Sequence, residues 1–208
     1  MWPFAKKKVR EAALTKPKPC ATPLPLAAVP LPAEIKRQAV REAISALGLL
    51  KPEAEDTIVG FLADEMETHP RQTLTEYRKG GEQLSKEEKK TLGLRSNAFL
   101  SRRAYDDLTE AGLEVPLKAH ETVLLRSTFT FQRYRSLQSI KASGLVGDKV
   151  FKGMRYDVLN MSCPVCGPLD GVTITLDEAT IFPFEGCTCH TANWGYRPSV
   201  DFLAAWNN

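Results

Sequence analysis

Apolar residues at Ile35, Val40, Ala43, Ile44 and Leu47 fall on one stripe of a helical repeat with charged residues opposite, so the spacing predicts a helix from Glu34. Pro52 suits a first helical position, and Glu53, Glu55 and Asp56 suit the positive end of a helix dipole. Ile58, Val59, Leu62 and Met66 supply that helix with a buried face, and His69-Pro70 stops it. A short helix through Leu74 and Tyr77 is expected to end at Gly80-Gly81. Ser85-Lys-Glu-Glu88 matches a capping box. The helical pattern breaks at Gly93, resumes from about Ser96 to Ala111 and closes at Gly112. Pro116 opens a long helix through Leu117, Leu124, Phe131 and Ile140 that ends near Gly144, although Thr128-Phe-Thr-Phe131 in its middle favours strand.

After Gly147 the period shortens from helical to alternating. Met154, Tyr156 and Val158 alternate with Arg155 and Asp157, and Val172, Ile174 and Leu176 alternate likewise, so both stretches read as half-buried strands. Pro198 to Trp206 reads as a short closing helix. Ahead of everything, Pro17, Pro19, Pro23, Pro25, Pro30 and Pro32 remove backbone donors and favour extended conformations, next to a basic start at Lys6, Lys7, Lys8 and Arg10. The expected fold class is α+β. It comprises a proline-rich basic arm (1–33), a mainly helical domain (34–146), and a small cysteine-rich β module with a short C-terminal helix (147–208). The arm reads as a tether or as a docking peptide anchored by Trp2 and Phe4.

At 208 residues, 43% hydrophobic and 25% charged, the chain has the composition of an ordinary globular protein. A net charge of +3 permits a nucleic-acid or acidic partner without demanding one. No apolar run is long enough for a membrane span, and the prolines between Leu24 and Ala33 argue against a signal peptide. An odd cysteine, Cys20, beside metal-type clusters fits a reducing, cytoplasmic compartment.

The remaining four of five cysteines are paired as Cys163-Pro-Val-Cys166-Gly167 and Cys187-Thr-Cys189-His190. Two close-spaced thiolate pairs brought together supply the tetrahedral set of a structural Zn²⁺, with Gly167 and Gly186 easing the two turns. His190 could replace one cysteine, giving Cys₃His in place of Cys₄. A redox Cys-x-x-Cys or a disulfide is the competing reading, but the strand-to-helix frame of a thiol-redox site is not visible. Four thiolates around one dication leave a charge of about −2, which Lys152, Arg155 and Arg197 lie near enough in sequence to offset. A module this short needs the metal's contribution to fold.

Catalytic signatures are thin. A deaminase needs His-x-Glu ahead of its Cys-x-x-Cys, whereas this chain has His120-Glu121 adjacent. His-Glu-x-x-His, phosphate loops and nucleophile elbows are missing from the sequence. His69 reads as a helix cap, His120 as surface or core filler, and Asp106-Asp107 and Glu87-Glu88 as solvated carboxylates. Arg126, Arg133 and Arg135, with Lys141 and with Arg95, Arg102 and Arg103 on the preceding helix, are candidate phosphate contacts of a nucleic-acid-facing patch.

Cys163-Pro-Val-Cys166-Gly-Pro-Leu169-Asp170-Gly171, a strand-like stretch, and then Pro183-Phe-Glu-Gly-Cys187-Thr-Cys189 together resemble the C-terminal signature of phage minor head proteins of the Mu F-like type. In that family Cys-Pro-x-Cys, Leu-Asp/Asn-Gly and Pro-x-His-Pro-x-Cys-Arg-Cys follow in this order. The similarity spans about residues 95 to 195, and its last third carries the motif residues. Glu185-Gly186 replaces the family's His-Pro and Thr188 its arginine, so the family-type histidine is missing from its place, with His190 able to substitute from the other side of the cysteine pair. The resemblance implies a head-morphogenesis protein of the virion that associates with portal or capsid proteins and assists capsid assembly or DNA delivery. Two further functions are expected as competitors. One is a zinc-ribbon-like nucleic-acid-binding or regulatory adaptor; the other is a thiol-redox or metal-dependent enzyme.

Overall fold

We describe residues 33–62, 69–146, 148–159, 161–187, 189 and 194–205 of a computed structural model of the chain. The expectations placed on the proline-rich arm and Cys20, and on Met66, Thr188, His190 and Trp206, lie outside them.

Helix α1 (Ala33–Leu47) buries the expected stripe, with Ala39, Val40 and Ala43 at 0% exposure. Pro52 opens a 3₁₀ turn that runs into α2 (Glu55–Phe61), and its carboxylates do more than face a dipole. Glu55 accepts from Arg37 and Arg41 of α1, which lower its pKa against the cost of burial. His69 does act as a cap, but of the following helix α3 (Pro70–Lys79), where its Nδ1 accepts from the Arg71 N–H at 3.1 Å. The capping box forms as expected at the start of α4 (Lys86–Thr91).

Between Ser96 and Ala111 the chain makes two short helices in place of one, α5 (Arg102–Asp106) and α6 (Glu110–Leu113). Ser101 and Thr109 each cap a new start, accepting from Ala104 and Gly112 N–H groups. Leu100, Ala104 and Leu108 stand four apart and mimic a continuous helix, yet Leu100 and Ala104 fill a small core with Leu84 while Leu108 joins the main one. Helix α7 (Ala119–Ala142) forms in spite of its strand-favouring middle. Its buried Ser127, Thr128 and Thr130 hydroxyls donate back to the carbonyls four residues earlier, so these three side chains are satisfied within the helix.

The C-terminal part is a three-stranded antiparallel sheet in the order β2-β1-β3, from β1 (Phe151–Val158), β2 (Thr173–Ile174) and β3 (Trp194–Val200). Its third strand corrects the expected closing helix, of which a 3₁₀ turn at Phe202–Ala205 remains. Pro198 makes that stretch read as non-strand, but β3 is an edge strand. The Tyr156 N–H and C=O serve the β2 side, bonding Val172 and Gly171, so the residues facing Tyr156 and Met154 on β3 turn their amides outward. Pro198, opposite Met154, therefore lacks a donor only where no ladder needs one.

Two apolar cores meet on α7. Its first half packs with α1, α2 and α3 around Leu50, Ile58, Leu74, Val123, Leu124 and Phe131. Leu137 belongs instead to a second core with Met154, Tyr156, Val158, Cys166, Cys187, Trp194 and Tyr196. Each fully buried large aliphatic contributes roughly 1.5–3 kcal/mol. Two of the paired cysteines, Cys166 and Cys187, are thus members of this core.

Candidate metal centre

The first cysteine pair is held by its own turn. The Gly167 N–H donates to the Cys163 carbonyl at 2.8 Å, and the Cys166 N–H points at the Cys163 sulfur at 3.4 Å. Gly167 eases this turn without taking the positive φ that glycine allows. Its need is for space, because a Cβ there would stand 2.4 Å from the Met161 carbonyl oxygen. The second pair follows a turn in which Gly186 takes φ +76° and the Cys187 N–H donates to Phe184.

Cys163, Cys166, Cys187 and Cys189 converge, with their sulfurs all within 4.8 Å of one another. Cys163 and Cys189 are half-buried; Cys166 and Cys187 are buried, and the sulfurs of this buried pair lie 3.3 Å apart, well beyond a disulfide bond of about 2.05 Å. All four are free thiols. Four sulfurs about 2.3 Å from one tetrahedral ion would stand roughly 3.8 Å from each other, so the donor set fits such an ion. The alternative ligand His190 lies outside the described residues.

Electrostatics point the same way. Burial works against ionisation of Cys163, but N–H groups of Cys166 and Val165 and the Cys189 thiol outweigh it and bring its pKa down to about 7. Burial together with the Cys163 and Cys187 sulfurs pushes Cys189 up. Four thiols this close cannot all ionise beside one another unless a cation shares the space.

Arg126 and Arg133 do not face solvent. They are 2% and 4% exposed, which overturns the expected phosphate contacts at these two positions. Arg126 forks onto the Glu42 carboxylate of α1 and donates to the carbonyls of Cys187 and Cys189. Burial disfavours its charge, yet Glu42 and the Cys187 thiol raise its pKa. Arg133 donates to the Ile181 carbonyl at 2.7 Å and to Thr130, with its guanidinium 4.3 Å above the Trp194 ring. Burial lowers its pKa to about 10, which leaves it cationic at neutral pH. Arg135 is half-buried and lies about 200° around the helix from Arg133, so the three arginines form no common patch.

The expected charge compensation changes hands accordingly. Arg197 pairs with Asp157, Lys152 donates to the Lys149 carbonyl, and Arg155 rests against Gly171. The cations that bear on the Cys187 sulfur are Arg126 and Arg133. A sequence signal for them exists: they stand seven apart, on the helix face that carries Thr130 and Leu137 into the interior.

A second polar cluster, also unexpected, ties the helices together. His120 is fully buried, its Nε2 2.9 Å from Asp107 Oδ2, which also accepts from the Tyr77 hydroxyl at 2.8 Å. Asp107 is thus no solvated carboxylate. Among the described residues no helix is long and apolar enough to cross a membrane. No family model, curated protein or solved structure matches this chain.

Proposed function

We propose that Cys163, Cys166, Cys187 and Cys189 hold a structural Zn²⁺ and that the protein is a non-enzymatic assembly component. The convergence of four sulfurs from two distant segments carries this reading. The ion would fill its coordination with protein thiolates and supply folding energy, leaving no position for an activated water. Arg126 and Arg133 would offset the negative charge of the tetrathiolate, and through Glu42 and the α7 face they join the metal module to the helical part. Both arginines are spent in the interior, which weakens the nucleic-acid adaptor as a competitor.

The resemblance of the Cys-Pro-Val-Cys, Leu-Asp-Gly and Cys-Thr-Cys run to Mu F-like minor head proteins supports the more specific role: action at a phage portal in capsid assembly or DNA delivery. Elemental analysis of the purified protein tests the site, with one zinc per chain expected and Cys163→Ser or Cys187→Ser expected to lose both the metal and the near-UV circular dichroism of the module. Metal-free protein that keeps this signal would refute the staple. Co-purification with portal or capsid proteins tests the role, and a partner set with no virion component would refute it.

A further inference from the structure

The lobe built from residues 78–103 carries a charge that the rest of the fold does not. It holds eight lysines and arginines against three acidic residues, a net charge of +5 in a chain whose total is +3. Past the arm, the remainder of the chain (34–77 and 104–208) comes to −7. Segregation of this size makes the lobe a basic pole on an otherwise acidic body.

The lobe is firmly built. Leu84, Leu100 and Ala104 form its small core, with Leu92 and Leu94 packed against them. The Leu84 N–H donates to the Leu100 carbonyl at 3.0 Å, and the Arg102 N–H to the Glu82 carbonyl at 2.7 Å. Gln83 ties the end of α3 to the same segment, donating to the Arg78 and Lys79 carbonyls and accepting from the Leu100 N–H.

Its cations divide into two sets. Arg102 pairs with Glu88 at 2.7 Å, and Arg103 donates to Thr57 and lies over the Tyr77 ring, so both serve the fold. Lys86, Lys90 and Arg95 are exposed. Lys86 and Lys90 stand four apart on α4, where like charges repel across about 5–6 Å. The dipole at the end of α4 accounts for Lys90, but Lys86 sits in the first turn, where a cation is disfavoured. Helix stability therefore gives no reason for Lys86.

Beside these cations stands an exposed ring. Phe99 is 51% exposed and directly follows the turn that the Ala98 N–H closes on the Arg95 carbonyl. The Lys79 ammonium lies 5.6 Å from its centroid. The Arg102–Glu88 pair, three residues further on, holds this segment to α4. A bare aromatic ring among cations suits a ligand that is both anionic and flat-faced. Single-stranded nucleic acid is that ligand, its phosphates meeting the cations and a base stacking on the ring. An acidic protein surface would match the charge and leave the ring unused, and a duplex keeps its base faces stacked inside.

We infer that the 78–103 lobe binds single-stranded nucleic acid through Lys86, Lys90, Arg95 and Phe99. This surface shares no residue with the four cysteines and uses none of the arginines that α7 turns inward, so it stands whether or not a metal is held. Fluorescence anisotropy of a labelled oligothymidylate, titrated with the full-length protein over a range of salt concentrations, tests it. Combining Lys86→Gln, Lys90→Gln and Arg95→Gln should make the slope of log affinity against log salt shallower by about 2. Phe99→Ala should weaken binding about tenfold. All four side chains are exposed, so these changes leave the core of the lobe in place. The arm is basic too, and an affinity lost with Lys6→Gln, Lys7→Gln and Lys8→Gln but unchanged in the lobe variant would overturn the inference. Binding that needs the lobe cations yet ignores Phe99→Ala would overturn the single strand in favour of an acidic protein surface or a duplex.

Discussion

Arg126 sits where a helix, a carboxylate and a cysteine loop meet, and its replacement should be costly beyond its share of surface. Arg126→Gln leaves Glu42 without its cation and two loop carbonyls without donors, so we expect a loss of about 3 kcal/mol, measured by urea unfolding, together with weaker metal retention. Asp107 sets a pH dependence. Burial opposes its charge, but hydrogen bonds from His120 and Tyr77 prevail and hold its pKa below the ordinary 3.8. A depressed carboxylate stabilises the fold above its unfolded value, and that contribution fades as the pH falls through the folded one. The stability gap between wild type and Asp107→Asn should be widest near neutrality and close as the pH falls below about 4, followed by helical circular dichroism. At this scale the sequence was legible for the cysteines, because spacing and residue type together name thiolate chemistry. It was opaque for Arg126, Arg133 and Asp107, because a charge on a helix ordinarily marks solvent and nothing local shows a distant carbonyl or imidazole waiting for it.

Among the elements, α1, α3 and α7 were readable because periodicity, prolines and terminal glycines agree. The stretch ending at Gly112 misleads because Leu100, Ala104 and Leu108 keep helical spacing across two breaks, while the caps Ser101 and Thr109 carry the true boundaries. Strand β3 was hidden by a proline whose missing donor matters only in the ladder, a fact of sheet order and not of sequence. The sheet also contains a position no side chain fits. Gly153 has φ +132°, and a Cβ there would lie 2.4 Å from the Ile174 carbonyl oxygen, where β1 and β2 cross. Gly153→Ala should cost on the order of 1–3 kcal/mol and loosen the Tyr156–Trp194–Tyr196 aromatic group, a change visible in near-UV circular dichroism with the α1–α3 signal intact.

For the molecule as a whole, the α+β layout followed from the change of period near Gly147, but the joint between its parts did not. No pattern in the chain distinguishes a helix shared by two cores from a helix that merely ends where a module begins. That sharing governs how the protein bears load. Tension applied at the two ends runs through α7, where two guanidinium anchors clamp the cysteine loop and aromatic core to the helix. Metal-loaded protein stretched in an optical trap should rupture in one event, whereas chelated protein should yield first at the sheet, at lower force, and only later along the helices. Two well-separated ruptures with metal bound would mean that α7 is a hinge, and a single rupture a strut.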